Sequence, residues 1–222
     1  NYVIETAEGT LKVTPVTDEV VVNVKENSGK EKYDGTEKTV EGYKVTNISN
    51  NLYKEADIKF NGNAKVSGTD AGTYDMDVKA TDFENTSKNF SKVKFVVEDG
   101  QLIIEKRNVT LTSADDENVY DGKALTNDKV TVGGEGFAKG EGATYDVTGT
   151  QTNVGESKNT FTYKLNEGTK TDNYVIETAE GTLKVTPVTD EVVVTITGNV
   201  ADAKYDGKDH TAKGYKVDIN NK

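Results

Sequence analysis

The stretch "NYVIETAEGTLKVTPVTDEVVV" occupies residues 1–22 and returns without a change at residues 173–194. Tyr174 and Ile176 alternate with Val175 and Glu177, which is the spacing of a strand. Glu180-Gly181 then turns the chain into Leu183 and Val185, a hairpin signal. Pro187 fixes φ just beyond, as Pro15 does in the first copy, and a run of valines opens another strand. The stretch therefore reads as the last hairpin of one unit, a joint, and the first strand of the next.

The same 172-residue offset runs past the identity. Lys32-Tyr33-Asp34-Gly35 matches Lys204-Tyr205-Asp206-Gly207, and Gly42-Tyr43-Lys44-Val45 matches Gly214-Tyr215-Lys216-Val217, with no insertion needed through Lys222. A weaker repeat lies inside that period. Tyr120-Asp121-Gly122 falls between the other two YDG tripeptides, and "NFSKVKFVVEDGQLIIEK" resembles "NYVIETAEGTLKVTP". Such periodicity marks an array. It divides the chain into the closing hairpin of a B-type unit (1–15), an A-type unit (16–106), a B-type unit (107–187) and the start of a further A-type unit (188–222).

Each unit is expected to be all-β, with about six or seven short strands. Val20, Val22 and Val24 alternate with Val21 and Asn23, and Asp99-Gly100 gives the A unit its own hairpin signal. Helix is expected only as a short turn within Asn50–Phe60. The reading is a row of small Ig-like β-sandwiches in an extended rod, with β-grasp-like units as the alternative. The joints "TPVTDE" and "EKRN" hold no Gly/Ser run that would make them flexible tethers.

Composition narrows the function classes. With 38 acidic against 27 basic residues and a net charge of −11, the chain repels phosphate backbones, so nucleic acid is not an expected partner. No segment is apolar for long enough to span a bilayer, so no direct membrane insertion is expected of these residues. There is no Cys and only one His, His210. That removes thiol and His-based nucleophile or zinc arrangements from residues 16–187, and nothing selects an acid–base pair among the many carboxylates. No enzymatic activity is expected.

The ordered set of YDG, "VTGTQTNVGESKNTFTYKL" and "NYVIETAEGTLKVTP" resembles the YDG and MBG repeat domains of bacterial cell-surface adhesins. The resemblance covers both full units and both partial ones. It implies an extracellular location at the bacterial surface and tandem arrays, with no shared catalytic residues. The function expected is that of stalk repeats that project a distal binding domain. The alternatives are a weak multivalent module for host glycan (mucin) or protein, and a self-associating fibre or surface-layer component. The partners expected are neighbouring repeats of the same chain, with host glycan or mucin under the second reading.

The candidate residues are read as structural. In Tyr33-Asp34-Gly35, Tyr120-Asp121-Gly122 and Tyr205-Asp206-Gly207 the ring is expected to be buried at a sandwich edge, with Asp-Gly supplying a tight turn at positive φ. No Trp is present to offer a sugar-stacking face. Acidic stretches at the joints, "SADDEN" (113–118) and "VTDE" (16–19 and 188–191), are read as exposed loops, with Ca²⁺ the alternative, although their spacing matches no calcium loop. Lys44 and Lys216, with Asn89 and Asn173, are the residues a Lys–Asn isopeptide bond would use. The plainer reading is an exposed Lys and a turn-forming Asn.

Overall fold

The computed structural model describes residues 1–220; Asn221 and Lys222, the end of the run expected over 188–222, lie outside the described residues. The chain is all-β. Ten strands lie between residues 16 and 106: β1 (Val20–Glu26), β2 (Gly29–Lys32), β3 (Lys38–Glu41), β4 (Tyr43–Ile48), β5 (Ile58–Phe60), β6 (Lys65–Gly68), β7 (Gly72–Asp75), β8 (Phe83–Asn85), β9 (Val93–Glu98) and β10 (Gln101–Glu105). Eight follow before residue 187: β11 (Arg107–Ser113), β12 (Asp116–Val119), β13 (Val130–Gly134), β14 (Ala143–Val147), β15 (Gly155–Asn159), β16 (Phe161–Leu165), β17 (Tyr174–Ala179) and β18 (Gly181–Thr186). A last pair, β19 (Val194–Gly198) and β20 (Tyr215–Ile219), completes the described chain. One of its short 3₁₀ turns, Glu55–Asp57, falls inside Asn50–Phe60.

The first ten strands pair as β4-β1-β9, β2-β10-β7, β3-β6 and β5-β8. The next eight pair as β13-β11-β17, β12-β18-β15 and β14-β16, with a Leu125–Gln151 bridge where the first set has β3-β6. One pairing scheme is thus used twice. Val20, Val22 and Val24 of β1 are buried with Tyr53, Met76, Val78, Phe83 and Phe90 in one core. A second core joins Leu102 and Ile104 of β10 to Val109 and Leu111 of β11, together with Tyr33, Ala138 and Tyr174.

The two expected hairpins do not form. β9 pairs in parallel with β1, and β10 in parallel with β2; β17 pairs in parallel with β11, and β18 with β12. The acidic-Gly dipeptides are corners between sheets instead. Two chain segments run side by side in one sheet, bend together and leave side by side in the next. The bend brings backbones so close that a Cβ at Gly100 would stand 2.3 Å from the Asn27 carbonyl oxygen, and one at Gly181 2.4 Å from that of Ala114. Only glycine fits such an approach.

The first corner is held by the buried Glu26 carboxylate, which accepts from the backbone N–H groups of Val78 and Gly100 at 2.6 Å each. At the second, the Ser113 hydroxyl accepts from Gly181 N–H at 3.0 Å and donates to the Asn159 carbonyl at 2.5 Å. The Asn159 amide then donates to Ala114 and Asn127 carbonyls at 2.9 Å. Buried backbone donors need such partners, and the two units meet the need with different side chains.

Two further expectations change. The hairpin expected over residues 1–15 is absent: Asn1–Pro15 carries no strand, and its side chains are exposed. Its twin is held by β11, β12 and β15; among the described residues no strand pairs with residues 1–15. The register of the 172-residue repeat also slips by one. Val22 pairs with Ile48 across a bulge between Asn23 and Val24, while Val194 pairs with Ile219 without one. The first run accommodates its additional residue in the bulge.

Candidate functional site: the joint between the two complete units

β10 ends at Glu105 and β11 starts at Arg107, so a single residue, Lys106, separates them. The short link leaves the ends of the two units in contact, and the YDG tyrosine lies in that contact. Tyr33 is 4% exposed. Its ring packs edge-on against Tyr174 with centroids 5.5 Å apart, and Tyr174 in turn meets Phe137 at 5.2 Å. One carboxylate serves both phenols: Glu141 accepts from the Tyr33 hydroxyl on one oxygen and from the Tyr174 hydroxyl at 2.8 Å on the other. Tyr174 Oη also accepts from Ala138 N–H at 3.0 Å.

A polar rim surrounds this nest. Buried Asn173 accepts from Ala71 N–H at 2.7 Å and donates to Asp70 at 2.9 Å. Lys170 Nζ reaches the other Asp70 oxygen at 2.6 Å. On the opposite side the Arg107 guanidinium donates to the carbonyls of Gly136 (2.8 Å), Glu135 (2.7 Å) and Tyr33 (3.4 Å). Lys32 faces Glu135 at 3.4 Å.

The electrostatics follow from this packing. Burial first, then the Glu141 carboxylate, push the Tyr33 phenol far above its ordinary value. Burial likewise pushes Tyr174 up to about 12, the Ala138 N–H opposing the rise and Glu141 adding to it. Hydrogen bonds from Lys170 and then Asn173 hold Asp70 below the usual carboxylate range, and Asp70 raises Lys170 in return. Phenols kept neutral beside a carboxylate, with every rim donor paired, make a fastening.

The three YDG motifs share a turn but not an environment. Gly35, Gly122 and Gly207 have φ of 81°, 76° and 76°, where a side chain would be strained. The Asp34, Asp121 and Asp206 carboxylates each accept from the N–H two residues on, at 2.9, 2.9 and 3.0 Å. Lys38, then Thr36, also holds Asp34 well below the carboxylate range. Tyr120 and Tyr205, by contrast, are 42% and 97% exposed, against the burial expected at each unit. Burial comes from the neighbouring unit's nest and not from the motif, and only Tyr33 meets one. His210 lies beside Asp206 at 2.9 Å, both exposed.

The acidic joint stretches are already engaged or isolated. Asp115 accepts from Thr182 N–H at 2.7 Å, Asp116 from the Asn127 amide at 2.9 Å, and Glu117 pairs with Lys184 at 3.3 Å. Among the described residues no three Asp, Glu or His side chains converge as a metal site would require. Lys44 faces Lys25 on the β1–β4 ladder, at the far end of β1 from Asn89, and Lys216 faces Thr197. Asn173 is committed to Asp70 and Ala71. Glu141, Asp70, Lys170 and Arg107 escaped the sequence reading, and Gly-Glu-Gly at 140–142 gave no distinct signal because the same tripeptide stands at 134–136.

Comparison of this chain with family models, with curated proteins and with solved structures found no match.

Proposed function

We propose that the chain is a run of structural stalk repeats from an extracellular bacterial surface adhesin or fibre, which spaces a distal binding domain away from the cell. The observation that carries the reading is the joint. A one-residue link, a core shared across it and a buried tyrosine fastened to a carboxylate of the next unit oppose bending. Flexible tethers lack all three. The resemblance to YDG and MBG repeats supports the location and the array.

Weak multivalent binding to glycan or mucin is the rival reading. The open groove beside the joint, about 480 Å³, is lined by Lys32, Gly72, Thr73, Lys106 and neighbours, none of them aromatic. The joint groove itself therefore offers no ring on which a sugar face could pack, and repetition amplifies only an affinity that exists.

The chain has no native Cys to interfere with labelling. Spin labels at Lys59→Cys and Thr162→Cys, on exposed positions of β5 and β16, would report the distance across the joint. A single narrow distribution is expected. A broad one would mean a hinge and would overturn the stalk reading.

A further inference from the structure

The parallel pairings place the entry and the exit of each complete unit at opposite ends of one doubled run of chain. In the first unit residues 20–25 lie beside 93–98 and residues 29–32 beside 102–105, all in parallel register. Backbone bonds extend the run at both ends: Val16 N–H donates to the Asn89 carbonyl at 2.8 Å, and Tyr33 N–H to that of Glu105 at 2.9 Å. The chain enters this run at Val16 and leaves it at Glu105. In the second unit residues 107–112 lie beside 174–179 and residues 116–119 beside 183–186, and Tyr120 N–H donates to the Thr186 carbonyl at 2.9 Å. Entry there is at Arg107 and exit at Thr186.

A pull on both ends of a unit therefore drives the two segments of its run past each other, along the strands. Parallel ladder bonds are evenly spaced and cross from strand to strand, so such sliding strains all of them together. A pull across the ladder would instead open it bond by bond from one end. The corners add links between the same two segments: Glu26 on the entering one holds Gly100 on the leaving one, and Ser113 likewise holds Gly181. Load leaving β10 reaches β11 through Lys106 alone, so it passes from one ladder to the next without crossing a loop.

We propose that both complete units are tension-bearing elements, each loaded in shear through its doubled run when the chain is pulled end to end. The proposal does not rest on the stalk reading. A spacer needs joints that resist bending, whereas this property lies inside each unit and resists stretching.

The test pulls single molecules of the full chain by cysteine handles at exposed positions, which spares the fold. Thr17→Cys with Lys106→Cys loads the first unit along its run. Thr17→Cys with Lys92→Cys loads the same β1–β9 ladder across its strands, from the end where both begin. Forced unfolding is governed by the unfolding rate, so at equal pulling speed the axial pair should need a several-fold higher force and give way in a single step. The same contrast is expected in the second unit between Lys106→Cys with Val188→Cys and Lys106→Cys with Asp172→Cys. Equal forces in the two directions, or axial unfolding in a series of small steps, would overturn the proposal. The spin-label distance across the joint is read separately, so a hinged joint and a weak ladder give different results.

Discussion

Residues 174–186 form two strands in the interior of a unit, while residues 2–14, identical in sequence, are exposed and unpaired. Strand propensity and alternation are the same in both, so neither accounts for the difference. Among the described residues, β11, β12 and β15 lie beside the second copy and no strand lies beside the first. A strand's backbone groups and apolar side chains gain little until partners cover them, so a single segment cannot hold the form by itself. The β19–β20 pair makes the same point. It pairs antiparallel as its counterpart β1–β4 does, without the bulge, yet every residue in it is exposed, since among the described residues nothing packs on its apolar face.

The sharpest way to break this comparison is to shorten the same leucine in each copy. Leu183→Ala should lower the stability of the second unit by about 2–5 kcal/mol, the range for a buried leucine. Leu11→Ala should change it by less than about 0.5 kcal/mol, as exposed sites do. Denaturant melts of both variants measure the contrast, and similar losses would mean that residues 1–14 are covered in solution.

The two corners allow a finer test. Glu26→Ala strands the N–H groups of Val78 and Gly100, and Ser113→Ala strands that of Gly181. An unpaired buried group costs about 1–3 kcal/mol, so the first change should cost more than the second. Equal costs would show that water enters the first corner.

At the joint, Tyr33→Phe removes a hydrogen bond to a carboxylate, worth about 1.5–3 kcal/mol, while Tyr120→Phe should be nearly silent. The same contrast appears with pH. Tyr33 and Tyr174 ionise above the ordinary tyrosine value when folded, so their contribution is full below about pH 10 and is lost as pH rises through their folded values. Absorbance at alkaline pH should show phenols titrating late in the intact chain, with one fewer of them in Tyr33→Phe. Late phenols unchanged by that substitution would place the shift elsewhere.

The smallest effect is expected at Asp70. Its pKa is depressed, so its contribution is present above the ordinary carboxylate range and fades as pH falls through the folded value. The pair with Lys170 is largely exposed, and solvent screening leaves such pairs little to contribute. Asp70→Asn should therefore cause a small loss of stability at neutral pH that disappears as pH falls through the carboxylate range. A large loss at neutral pH would make the rim, and not the aromatic nest, the main fastening of the joint.

Local patterns were legible in the sequence for a physical reason: alternation and turn chemistry act over a few residues. The valines of β1, the positive φ of each YDG glycine and the all-β class all follow from such patterns. Asp99-Gly100 and Glu180-Gly181 were legible as turns, but hairpin and sheet-to-sheet corner ask the same residues of a local stretch. What separates them is the strand running alongside, tens of residues away in sequence. Glu141 carried no local signal either, because its role is defined by phenols that lie 108 and 33 residues away.

The sequence by itself determined which segments can become strands, where the chain turns, and that one pattern recurs. Tertiary structure decided which copy of a repeated segment becomes strand and which repeated tyrosine is buried. It also decided where two units are fastened. A propensity belongs to a residue and its neighbours, whereas burial and pairing belong to whatever lies across from it in space.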